Sequence, residues 1–137
     1  MVKTIEVKLK GIHCEHDGGD GNDNLEIYGS LHAQVFHVPT GTVRASQEMF
    51  RVPSGYVTIH KGNTFPVNKI VRFDLHDGDW LHIGGHLKED DDFGDDDLGN
   101  RWEKIYGPSI NTTPRDYYVR FEETGQTVRA DYRVKQI

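Results

Sequence analysis

Seven of the nine residues from Glu89 to Asp97 are acidic (Glu89, Asp90, Asp91, Asp92, Asp95, Asp96, Asp97), interrupted by Phe93 and the turn-forming Gly94. So many like charges in one short segment repel one another, and a hard cation held among their oxygens relieves that repulsion. The chain carries a formal charge of -6, of which this run supplies -7, so everything outside it sums to +1. A second concentration, Glu15-His16-Asp17-Gly18-Gly19-Asp20-Gly21-Asn22-Asp23-Asn24, alternates carboxylates and amides with glycines that let the backbone turn tightly. Its four acids bring the two clusters to -11 and leave +5 on the rest of the chain. Two anionic clusters on a mildly basic body point to one cation site assembled from loops distant in sequence. Calcium suits such a site, because it takes about six to eight oxygens from carboxylates, backbone carbonyls and waters. Crowded carboxylates hold protons more readily until the cation arrives, so its affinity is expected to fall at low pH.

Other spacings carry less. Gly18 to Glu26 fits the calcium-binding nonapeptide of RTX β-rolls at every specified position, but it occurs once, and a roll needs stacked turns to complete its sites. Neither cluster has the central glycine, the later glutamate and the flanking helices of an EF-hand. His13-Cys14-x-His16, and His82 with His86, have side chains that bind zinc or copper, yet there is no second cysteine and no finger spacing, so surface or partly buried histidines are expected. Asp92-Phe93-Gly94 spells the kinase magnesium triplet without a phosphate loop or a kinase-sized chain around it. Acids massed in one loop are poorly separated for the two roles of acid/base catalysis, and no Gly-x-Ser-x-Gly elbow occurs, so no enzymatic activity is expected.

The elements that must position these groups read as strands. Ile5, Val7 and Leu9, then Leu25, Ile27, Leu31, Ala33 and Val35, alternate with polar residues, and no window sustains a helical apolar repeat. Further strands are expected over 42–52, 55–60, 70–75, 80–88, 117–122 and 127–134. Turns fall at Pro39-Thr40-Gly41, Pro53-Ser54-Gly55, Lys61-Gly62-Asn63, Asp77-Gly78-Asp79 and Thr124-Gly125-Gln126. With 137 residues, one cysteine and no run near the ~18 apolar residues of a membrane span, the chain reads as one soluble all-β domain. About eight short strands fit an antiparallel β-sandwich better than an open sheet, with a small closed barrel as the competitor. The acidic balance and scattered Lys and Arg argue against nucleic acid.

On this strand map, the stretch from Trp80 to Gly99 resembles the third calcium loop of C2 domains. In that family a core strand ends in an Asp-x-Asp pair, and a further Asp precedes an apolar residue and a glycine. Asp90 and Asp92, or Glu89 and Asp91, match the pair, and Asp96 or Asp97 stands ahead of Leu98-Gly99. The loop of Asp17, Asp20 and Asp23 lies where C2 domains contribute further carboxylates, although Leu25-Glu26-Ile27-Tyr28-Gly29 replaces the family's Asp-Pro-Tyr. The resemblance implies a C2-like sandwich binding calcium at one end through Asp17, Asp20, Asp23, Asp90, Asp92 and Asp96. It also implies calcium-dependent docking to a membrane phospholipid surface, with Phe93 adding apolar contact. The alternative is a calcium-stabilised carbohydrate-binding or accessory domain of a secreted bacterial toxin or adhesin, binding glycan through Trp80, Trp102, Tyr106, Tyr117 or Tyr118.

Overall fold

The computed structural model of the protein describes residues 2–17, 24–90 and 95–137. Strands β1 (Lys3–Asp17), β2 (Asn24–His37), β3 (Thr42–His60), β4 (Thr64–Leu75), β5 (Asp79–Glu89), β6 (Asp96–Ile105), β7 (Arg115–Glu123) and β8 (Gln126–Gln136) follow in order, with a short 3-10 turn at Gly107–Ser109. They form two four-stranded antiparallel sheets, ordered β4-β1-β8-β7 and β3-β2-β5-β6. The expected all-β antiparallel sandwich is therefore the architecture of the chain, with eight strands among the described residues.

Alternation explains why the sheets stack. Ile5, Val7, Leu9, Ile12 and Cys14 of β1 point inward, as do Leu25, Ile27, Leu31, Ala33 and Val35 of β2, and they meet Val128, Ala130 and Tyr132 of β8 and Leu81, Ile83 and Leu87 of β5. Each large side chain so buried contributes about 1.5–3 kcal/mol. The Tyr132 hydroxyl is carried into this core and donates to the His32 carbonyl at 3.1 Å, joining one sheet to the other. Burial pushes that phenol well above its ordinary pKa, beyond what a backbone hydrogen bond from Gly84 offsets.

Two expectations about strands are corrected. The residues 42–52 and 55–60 belong to one strand, β3, and Pro53-Ser54-Gly55 is a bulge within it: Val52 faces Gly29 and Val57 faces Ile27, so four residues bulge opposite Tyr28. Pro53 is tolerated because β3 is an edge strand, where a missing ladder N–H has no cost, and Gly55 takes up a φ of 77°. Strand β6 was not anticipated, because as an edge strand it buries just Leu98 and Ile105 and otherwise carries polar residues.

The Gly84-Gly85 pair keeps β5 in continuous register with β2. Both adopt positive φ, 144° and 159°, and a Cβ would come within 2.1 Å of the Arg101 carbonyl at Gly84 and of the Ser30 carbonyl at Gly85. The neighbouring backbones therefore require glycine here.

At one end of the sandwich the buried Asp79 carboxylate joins the β2–β3 and β4–β5 turns. It accepts from His76 N–H at 2.8 Å and from the Arg44 guanidinium, and lies 2.7 Å from His37 Nδ1. Burial favours its protonated form, but the hydrogen bonds from His76 and His37 and the charge of Arg44 outweigh it and hold the carboxyl below its usual range.

Gly85→Ala is expected to lower unfolding free energy by about 3 kcal/mol, from strained φ and overpacking together; a denaturant titration unchanged from wild type would refute the close-approach argument. Because the folded pKa of Asp79 is depressed, its stabilising contribution is present above the unfolded value of about 3.9 and is lost as pH falls through the folded value. Asp79→Asn should therefore lower the melting temperature at neutral pH and flatten its decline on acidification, as followed by circular dichroism.

Candidate metal centre

The antiparallel order brings four connections to the end of the sandwich opposite Asp79. There β1 stops at Asp17 and β2 starts at Asn24, β3 stops at His60 and β4 starts at Thr64, β5 stops at Glu89 and β6 starts at Asp96, and β7 stops at Glu123 just before β8 starts at Gln126. Both acidic segments thus leave the core at the same pole, one from each sheet.

Along the inward-facing rows of β1, β5 and β8 the apolar residues give way at this end to polar ones. Asp17, Glu89 and Gln126 are all buried, at 8%, 6% and 8% exposure. Asp17 stands directly opposite Gln126 in the β1–β8 ladder, so the two side chains share the inner face. Gln126 reaches across to the other sheet, donating from Nε2 to Glu89 Oε1 at 3.2 Å. Asp96 opens β6 opposite Glu89 and is half-buried on that same face.

Around this inner mouth the described residues Asp90, Asp95 and Asp97 each make their own contact. The Asp90 N–H donates to the Glu26 carbonyl at 2.8 Å, fixing the chain as it leaves β5. The Tyr28 hydroxyl donates to Asp95 Oδ2. This hydrogen bond, then partial burial and the nearby charges of Asp95, Asp90 and Asp97, push the phenol up to about 12. Asp97 Oδ1 lies 2.6 Å from His86 Nε2 and accepts the Gly99 N–H at 2.9 Å, and these two contacts lower its pKa. The bulge of β3 adds a wall: Val52 to Tyr56, together with Tyr28, Asp90 and Asp95, line a cleft of about 320 Å³.

Of the ligands expected from sequence, the structure brings Asp17, Asp90 and Asp96 to one pole; Asp20, Asp23, Asp92 and Phe93 lie outside the described residues. Among the described residues, no three His, Cys, Asp or Glu side chains are grouped closely enough to hold an ion by themselves. One observation nevertheless fits a cation here: among the described residues, Gln126 Oε1 is buried without a hydrogen-bond partner. A buried oxygen of this kind is costly unless something electropositive meets it. Tyr28 and Gln126 were missed as site residues. Alternation running back from Val128 through the expected turn at 124–126 places Gln126 inward, whereas nothing local signals the pairing of Tyr28 with Asp95.

The other candidates resolve differently. His13 and Cys14 point to opposite faces of β1: Cys14 is buried, and His13 Nδ1 lies 2.8 Å from Thr64 Oγ1. His82 and His86 share the outer face of β5, but His82 stacks on Phe36 at 4.8 Å and His86 pairs with Asp97. Burial and Lys104 lower the pKa of His82. Trp80 packs edge-on against Tyr106 at 5.2 Å, Trp102 stacks with His32 at 6.1 Å, Arg129 lies 4.6 Å over Tyr118, and Tyr117 packs on the core.

No protein-family model matches this sequence, and no curated protein matches it. Solved structures do resemble its fold. A C2 domain of plant extended synaptotagmin 1, the one designated A, is 9% identical with a TM-score of 0.55, the match covering 98% of this chain and 93% of that one. Human GIVD cytosolic phospholipase A2 is 12% identical with a TM-score of 0.54 over 98% of this chain, which spans 16% of the phospholipase chain. The calcium-bound C2 domains A and B of extended synaptotagmin 2 give 12% identity and a TM-score of 0.50 over 98% of this chain and 45% of theirs. The chain therefore has the C2-like β-sandwich fold.

Asp95→Asn should return the Tyr28 phenol toward the ordinary value of about 10. Alkaline ultraviolet difference spectra of wild type, Asp95→Asn and Tyr28→Phe would show this: with the buried Tyr132 titrating late in all three, the Tyr28 transition should move in the first variant and vanish in the second. An unmoved transition in Asp95→Asn would refute the assignment.

Proposed function

We propose that this domain is a non-catalytic calcium-binding module that docks to membrane phospholipid when the ion is bound. Its ligands are drawn from Asp17, Asp20 and Asp23 of the first acidic segment and Asp90, Asp92 and Asp96 of the second. The convergence of both acidic segments on one pole of a C2-like sandwich carries the reading. It is supported by the buried oxygen of Gln126 at that pole, which has no hydrogen-bond partner among the described residues, and by the calcium bound in the similar C2 domains of extended synaptotagmin 2.

The chemistry follows from charge. An acidic pole is repelled by anionic headgroups, and calcium held there reverses the local sign and offers open coordination positions to lipid phosphate. Phe93, the large apolar residue of the acidic run, then adds contact with the acyl boundary. The glycan alternative has less support, since Trp80, Trp102 and Tyr118 are engaged with neighbouring rings or a guanidinium and Tyr117 packs on the core.

Calorimetric titration of calcium into chelator-stripped protein should show saturable binding and a raised melting temperature that magnesium does not reproduce. Asp90→Asn combined with Asp96→Asn should weaken binding by about tenfold or more. Vesicles containing phosphatidylserine should sediment the wild type in calcium and release it in chelator. No calcium heat at millimolar concentration would overturn the reading, and calcium binding without vesicle association would overturn its membrane half.

A further inference from the structure

The inner mouth holds a polar pair that the acidic segments alone do not explain. Glu89 is the last residue of β5, opens the acidic run and is buried, while Gln126 is the first residue of β8 and belongs to neither acidic segment. Their hydrogen bond crosses from one sheet to the other at 3.2 Å. A carboxylate is acceptor-only and takes the amide N–H, which fixes the orientation of the carboxamide and commits its oxygen to the other side. That oxygen is buried and has no hydrogen-bond partner among the described residues. A carboxamide used merely to satisfy Glu89 would leave such an oxygen at a cost of about 1–3 kcal/mol. The same oxygen is a good neutral ligand for a hard cation, which accepts carbonyl and amide oxygens beside carboxylates.

We infer that Gln126, from the β7–β8 hairpin, is a cation ligand of the pole: its Oε1 coordinates a calcium ion held at the inner mouth beside Glu89, with Asp17 as its neighbour across the ladder. This inference rests on the calcium reading above and extends its ligand set to a third connection, seated on two strand ends. Glu89 faces the mouth and Asp90 follows it out of the strand, so this inner pair adds to Asp90 and does not replace it. A ligand fixed in a β ladder is ordered before the ion arrives, so its coordination costs less entropy than that of a loop side chain.

The test is calcium calorimetry on chelator-stripped wild type, Gln126→Met and Gln126→Glu, with melting temperatures in chelator and in calcium. Methionine keeps the volume and loses both the oxygen and the N–H given to Glu89, so calcium affinity should fall about tenfold, while in chelator the lost donor is offset by removal of the unsatisfied oxygen and melting stays near that of wild type. Glutamate adds charge beside Glu89, so it should melt lower in chelator, bind calcium more tightly than wild type and gain a larger calcium shift. If Gln126→Met fails to fold, Gln126→Glu decides alone. A glutamate variant that binds no more tightly than wild type overturns the inference, because a purely structural carboxamide would be disrupted by that change. Wild-type affinity in both variants overturns it too while leaving the calcium reading standing, and an absence of calcium heat from the wild type overturns both.

Discussion

Two apolar sheet faces pressed together determine what can happen at the ends of this molecule. While strands overlap, each inward side chain finds an apolar partner on the opposite sheet, and the core from Ile5 to Val134 is continuous. Where strands stop, the inward position is still shielded from water but is taken by a polar side chain. The sequence puts Asp17, Glu89 and Gln126 there at one end and Asp79 at the other. Both poles therefore carry buried polar groups for the same geometric reason, and their difference lies in how those groups are compensated.

Around Asp79 the compensation is internal. Arg44 and His37 converge on it, the His76 N–H completes the set, and the turn it joins is reinforced by Val38 N–H donating to the Gly78 carbonyl at 3.0 Å. That end is closed by side chains the chain supplies itself, and its charge stabilises connections. The opposite pole has acids in excess. His86 engages Asp97 and Tyr28 engages Asp95, but one of these donors is a neutral phenol and the other an imidazole. An end built this way responds to whatever positive charge the solution supplies, and a hard divalent ion has the charge density to act on several carboxylates together.

The fold was readable because period-2 alternation is imposed by burial of one sheet face, and β1, β2, β5 and β8 display it residue by residue. Edge strands are subject to half of that constraint. Accordingly β6, with two buried apolar residues, was not seen, and β3 was divided at a Pro53 that an edge strand accommodates in a bulge. The candidate pole was legible as charge, since carboxylate density needs no tertiary information. Its inner ligands were less so. Whether Glu89 or Asp90 faces inward depends on one residue of register, and the Gly84-Gly85 pair removes two of the side chains that would have declared it. The contacts of Tyr28 with Asp95 and of Gln126 with Glu89 join residues 67 and 37 positions apart, which pairing of strands alone creates.

The sheets also bear on what ion binding would change. Glu89 and Gln126 sit on different sheets, so an ion that engages both acts across the same interface that the core seals, in the manner of Tyr132 bonding to the His32 carbonyl deeper down. Binding at such a position stabilises the packed sandwich relative to any opened form, since separation of the sheets would break the ligand set. Binding confined to loop acids would order those segments and leave the sheet pairing almost untouched. The two modes thus differ thermodynamically: the first couples the ion to global unfolding, the second to local order alone. With carboxylates on strand ends as well as beyond them, a single bound ion would act at both levels.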